Sequence, residues 1–139
     1  MLKDIAVKFF TEGNYNCAES LVRAANEYYG FGLHDNDMKL MGAYGGGLQC
    51  GSTCGAVLGA VAALSMKYVE EKARESETIK PVVNMFLDKV NAKYGSLLCC
   101  DIKPISYAEG RKCDPTVECI CDLLEETIAE FEAGKQAVE

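Results

Sequence analysis

The sequence predicts an all-α protein, a compact bundle of about five or six helices in a single domain spanning residues 1–139. Three observations carry that expectation. Apolar residues recur at three- and four-residue spacing along most of the chain, residues that start and stop helices stand at the ends of those stretches, and no alternating strand pattern of useful length occurs. The chain has 139 residues, 49% hydrophobic and 25% charged with three prolines, enough to bury a core without disulfides and far from disorder.

Leu2, Ile5, Ala6, Phe9 and Phe10 mark a first amphipathic helix that Gly13-Asn14 closes. Asn16 caps a second, with Cys17 and Glu19 in its first turn, Leu21, Val22, Ala25 and Tyr28 on its apolar side, and Gly30 as its stop. A turn, Gly30-Phe31-Gly32, leads to Asp35-Asn36-Asp37, which caps a brief helix through Met38, Leu40 and Met41. His34, the only histidine, has no ligand-type neighbour in sequence and reads as a surface or capping residue.

The glycine-rich stretch Gly45-Gly46-Gly47-Leu48-Gln49-Cys50-Gly51-Ser52-Thr53-Cys54-Gly55 opens a long helix expected over Ser52 to Arg74. Gly51, Gly55, Gly59 and Ala63 give that helix a smooth face, suited either to a neighbouring helix of the same subunit or to a second copy in a homodimer. Val82, Val83, Phe86, Leu87, Val90 and Tyr94 form the next helix, with Pro81 near its first turn and Gly95 at its end. The stretch 95–113, holding Cys99-Cys100, Pro104 and Gly110, reads as irregular. Asp114 caps the last helix and Pro115 takes its first position; Val117, Ile120, Cys121, Leu124, Ile128 and Phe131 are its buried stripe.

Charge narrows the function. The net charge is −7, and residues 114–139 account for all of it, with eight acids against Lys135. That balance argues against a nucleic-acid partner, because phosphate binding needs clustered Lys and Arg. The longest apolar run, Ala56 to Met66, is too short to span a bilayer, and Lys3, Asp4 and Lys8 interrupt the start of the chain, so neither a membrane span nor a signal peptide is expected. The expected location is the cytoplasm. There, eight cysteines point to redox chemistry, metal ligation or core packing rather than to permanent disulfides.

Context sorts those thiols. Cys17, Cys54 and Cys113 fall at expected helix starts, where free N–H groups and the helix dipole favour a thiolate, so a lowered pKa is expected at Cys54. Cys121 lies in an apolar stripe and reads as a small core residue, Cys119 points away from it, and Cys50 and Cys100 neighbour the stronger candidates. No thioredoxin, zinc, haem-attachment or ferredoxin spacing is present, and the glycines lack the ending of a phosphate loop.

Asn16-Cys17-Ala18-Glu19, Gly45-Gly46-Gly47, Thr53-Cys54-Gly55-Ala56-Val57-Leu58-Gly59, a Cys after Tyr94-Gly95-Ser96, and Cys113 before the last helix resemble one family over residues 13–130. It is the family named for a Cys, Gly-Cys-Ala-x-x-Gly, Cys, Cys pattern, whose members are called redox-active on the strength of their cysteines. The resemblance implies a helical fold and a relation to the non-haem domain of split-Soret cytochromes, for which an iron–sulfur centre has been proposed. It places the four family cysteines at Cys17, Cys54, Cys99 and Cys113, with Cys100 an alternative to Cys99, while Cys50, Cys119 and Cys121 are additions.

Three functions follow as expectations. The first is thiol–disulfide chemistry centred on Cys54 with Cys17 or Cys50 resolving, alongside Gly46, Gly47 and Gly55 as backbone of the site. The second is a metal or iron–sulfur module ligated by Cys17, Cys54, Cys99 and Cys113. The third is an interaction protein whose acidic last helix docks a basic partner and whose thiols are inert. The redox partner is not named by the sequence.

Overall fold

The structure, a computed structural model, describes residues 1–108 and 110–138. Among these it is all-helical: α1 (Leu2–Thr11), α2 (Cys17–Tyr29), α3 (Asp35–Met38), α4 (Gly55–Tyr68), α5 (Ile79–Tyr94), α6 (Cys99–Ala108) and α7 (Asp114–Val138). Two 3₁₀ segments, Lys39–Tyr44 and Ala73–Glu75, and a tight coil at Gly47–Gly51 with non-helical backbone inside it stand between them. The seventh helix beyond the expected six is α6, lying in the stretch read as irregular. No described helix is long and apolar enough to cross a membrane.

Local chemistry sets the ends. Asn16 accepts a hydrogen bond from the Glu19 N–H at 2.9 Å while the Glu19 carboxylate accepts one from the Asn16 N–H at 3.1 Å, a reciprocal cap that fixes where α2 begins. Gly30, at φ 68, and Gly95, at φ 72, end α2 and α5 in the left-handed region that glycine enters without a Cβ penalty. His34 stands at the start of α3, where its N–H donates to the Asp37 carboxylate at 2.9 Å. The helix expected over Ser52 to Arg74 is shorter at both ends: Cys54 caps it and Val69 already has extended backbone.

Helices α2 and α4 form the centre. A Cβ on Gly59 would lie 2.7 Å from Leu21 Cβ and 2.8 Å from the Ala18 carbonyl oxygen, so the two backbones touch where the side chain is missing. The smooth Gly55/Gly59 face is therefore consumed inside the subunit, which removes it as a homodimer surface. Leu2, Leu21, Leu64, Phe86, Ile120 and Leu124 fill the core between α1, α2, α4, α5 and α7.

The acids of α7 are largely engaged within the chain. Asp122 pairs with Lys3, Glu126 and Glu130 with Lys89, and Glu118 with Arg111, while Glu125 accepts the Leu2 N–H and Glu132 the Tyr68 hydroxyl. Each exposed pair adds little stability, about 0–1 kcal/mol. Together they dock α1 and α5 on α7, which gives that helix's charge a role inside the fold.

Candidate functional site

Four helices begin at a cysteine. Cys17 is the first residue of α2, Cys54 the N-cap of α4 and Cys99 the first residue of α6. Cys113 immediately precedes α7, its carbonyl accepting the Val117 N–H at 3.0 Å. All four line one pocket of about 180 Å³. Residues far apart in sequence thus bring four thiols and the positive ends of four helix dipoles to one place.

Backbone pairing holds two of the helix starts together. The Cys54 N–H donates to the Leu97 carbonyl at 2.8 Å and the Cys99 N–H to the Ser52 carbonyl at 2.6 Å, around an isolated antiparallel bridge between Thr53 and Leu98. At the other end of α6, the Ser106 hydroxyl donates to the Lys112 carbonyl at 2.7 Å and accepts the Thr116 N–H at 3.3 Å. That contact fixes α6 against the first turn of α7, beside Cys113.

The glycines serve close approach. Gly46 and Gly55 line the pocket, and a Cβ on Gly55 would lie 2.5 Å from Cys17 Sγ and 2.9 Å from the Tyr44 carbonyl oxygen. Gly47 stands behind the wall instead: a Cβ there would meet Cys99 Cβ at 2.5 Å, and its φ is 65. Around it the backbone turns left-handed through Gly46, Gly47, Leu48 and Gln49. Cys50 therefore sits on this turn, ahead of α4.

Electrostatics reverses one expectation. Burial pushes the Cys54 thiol up to about 12, outweighing the N–H groups of Val57 and Ala56 that stabilise a thiolate, and the neighbouring Cys17 and Cys99 push the same way. With 5% of its surface exposed, Cys54 loses more by desolvation than the helix start returns. Cys99 and Cys113 are also raised, first by burial and then by Cys17, while Lys103 lowers both and the Tyr107 hydroxyl lowers Cys113. Cys17 acts on Cys54, Cys99 and Cys113, and Cys99 acts on Cys54 and Cys113, so those pairs lie within electrostatic reach.

The other four thiols lie outside this pocket. Cys50 and Cys100 are exposed. Cys119 contacts the Tyr94 hydroxyl, and Cys121 is fully buried in the core.

A protein-family model described as putative redox-active protein (C_GCAxxG_C_C) matches residues 15–127. The chain belongs to that family. The match takes in all four pocket cysteines, and the central element of the family's name reads Cys54-Gly55-Ala56-Val57-Leu58-Gly59 here. Neither the curated proteins nor the solved structures provide a match.

The donor set suits a group held by soft ligands. The pocket wall offers four sulfurs and no histidine or carboxylate, a composition that selects iron–sulfur, zinc or cuprous centres. A single tetrahedral zinc needs its sulfurs roughly 3.8 Å apart, from bonds of about 2.3 Å. No group of three or more His, Cys, Asp or Glu among the described residues is placed to hold a metal ion. The four thiols line a space of about 180 Å³. Thr116, 4% exposed and also on the pocket wall, holds its hydroxyl towards the Tyr94 phenol, whose pKa it lowers.

Proposed function

We propose that this chain is a cysteine-based redox protein whose working unit is the thiol pocket, and that Cys17, Cys54, Cys99 and Cys113 hold a thiolate-bound redox centre there, an iron–sulfur cluster being the best match. One observation carries the reading: four thiols from four separate helix starts line a single cavity with room between them. Core packing has no need of such an arrangement. When bound, a centre of this class supplies one-electron transfer.

The chain's own residues have distinct parts in this. The N-termini of α2, α4, α6 and α7 offset the negative charge that four thiolates bring. Cys54, held protonated by burial, gives up its proton only as a ligand forms, so loading is coupled to proton release. Lys103 at the pocket lends positive charge to Cys99 and Cys113, which carry that proton loss at lower cost. The Thr116 hydroxyl adds a polar group to the pocket wall beside Tyr94.

A second reading is thiol–disulfide exchange within the same set. All eight cysteines are free, and Cys17, Cys54 and Cys99 are electrostatic neighbours. Two thiols would lose two electrons and two protons to an oxidised partner as their sulfurs join. The raised pKa moves the attacking role from Cys54 to one of the more exposed pocket thiols.

Anaerobic incubation of the full chain with iron and sulfide, followed by metal analysis and an absorption spectrum, separates the two. The cluster reading predicts a brown protein with near-stoichiometric iron and sulfide. A colourless protein that takes up neither contradicts it and leaves disulfide exchange as the function of the pocket.

A further inference from the structure

Cys50 and Cys100 belong to no part of the thiol pocket, and both are exposed. The pairing that holds the pocket together also sets Cys100 against Gly51, the residue next to Cys50. Thr53 bridges Leu98, Ser52 accepts the Cys99 N–H, and one step further Gly51 faces Cys100, with 3.5 Å between a Cβ built on Gly51 and Cys100 Cβ. Cys50 is therefore bonded directly to the residue that confronts Cys100. Gly51, at φ 74, puts no side chain of its own against Cys100.

Neither thiol has a strong partner of its own. Cys50 Sγ reaches only the Gly47 carbonyl at 3.6 Å, and Cys100 Sγ only the Asp101 carboxylate at 3.9 Å. The adjacent Cys99 is a poor partner for Cys100, because neighbours across a trans peptide are 3.8 Å apart at Cα while a disulfide needs about 4.4–6.8 Å. Gly46, Gly47, Leu48 and Gln49 form a left-handed run in which Leu48 (φ 59) and Gln49 (φ 61) are strained by their Cβ atoms. Relaxing that strain would move Cys50, the next residue.

We infer that Cys50 and Cys100 form a reversible surface disulfide that fastens the glycine loop to the start of α6. With a low-molecular-weight disulfide such as oxidised glutathione as oxidant, one of the two thiols, as thiolate, attacks it and releases one glutathione thiol. The second protein thiol then attacks the mixed disulfide and releases the other. Two protein thiols lose two electrons and two protons, one sulfur–sulfur bond forms, and oxidised glutathione becomes two molecules of the reduced form. Gly46 and Cys99 of the pocket wall lie on the two fastened segments, so the surface bond couples the oxidant level to the shape of the pocket mouth.

The inference is independent of what the pocket holds. Its test is stepwise oxidation of the reduced, metal-free full chain with oxidised glutathione, acid quenching, thiol counting and tandem mass spectrometry. The first two thiols lost should be Cys50 and Cys100, joined to each other. Cys50→Ser and Cys100→Ser should each lose the cross-link and leave a glutathione adduct on the remaining thiol. Separate adducts at both positions in the wild-type chain, or a cross-link to Cys50 that survives Cys100→Ser, would overturn it.

Discussion

Cys17 Sγ lies 2.5 Å from the point where a side chain on Gly55 would begin. The first thiol of the pocket thus occupies the space that the glycine after the second one leaves free. Gly55→Ala, at the first position of α4, must displace that sulfur and the Tyr44 carbonyl, 2.9 Å away, an overpacking cost of roughly 1–3 kcal/mol. We expect lower stability in urea unfolding together with a displaced Cys17. A variant as stable as the parent would show that the two helix starts have slack.

Gly59 and Gly134 offer a matched pair for the same substitution. A methyl at Gly59 meets Leu21 Cβ and the Ala18 carbonyl oxygen, whereas nothing lies within 4 Å of one at Gly134 in α7. Gly59→Ala should therefore destabilise, and Gly134→Ala should stabilise by up to about 1 kcal/mol through propensity alone. Thermal melts of the two variants should shift in opposite directions.

Stability should fall in alkali, and Cys54 should be one reason. Its folded pKa, about 12, lies above the ordinary 9.0, so the native state keeps the proton longer. Below about pH 9 both states are protonated and nothing is lost. As pH rises towards 12 the unfolded chain ionises first, costing the fold on the order of 4 kcal/mol by the upper end. The buried Cys121 is raised for the same reason and adds to the decline. Urea unfolding at several pH values between 8 and 11 should show Cys54→Ala with a shallower loss than the parent; parallel curves would contradict the assignment.

Much of this fold could be read from the residues, and the unread parts have physical causes. Asn16 with Glu19, and the stripe from Val117 to Phe131, announce α2 and α7 because caps and apolar period are local signals. Helix α6 was hidden by Pro104, a residue that usually breaks a helix, and by Gly110 just beyond its end. Its start is signalled by Ser96, whose hydroxyl accepts the Leu98 N–H at 3.0 Å and donates to Asp101 at 2.7 Å. Cys17, Cys54 and Cys113 were legible as cysteines at helix starts, whereas Cys99 was expected in an irregular stretch and joined them only through the family resemblance. That they share one cavity depends on how α2, α4, α6 and α7 pack, which no local pattern encodes. Neither does the raised pKa of Cys54, since sequence displays the helix start but not the burial that overrides it. The Thr116 hydroxyl on the pocket wall gave no sequence signal at all.

The central claim is that four thiols act as one unit, and the most direct measurement is iron and sulfide content after anaerobic reconstitution of eight single Cys→Ser variants. Loss confined to Cys17, Cys54, Cys99 and Cys113, with full loading at Cys50, Cys100, Cys119 and Cys121, is the predicted result. Loading that survives in any of the first four, or that fails at Cys100 while surviving at Cys99, would contradict the pocket as drawn.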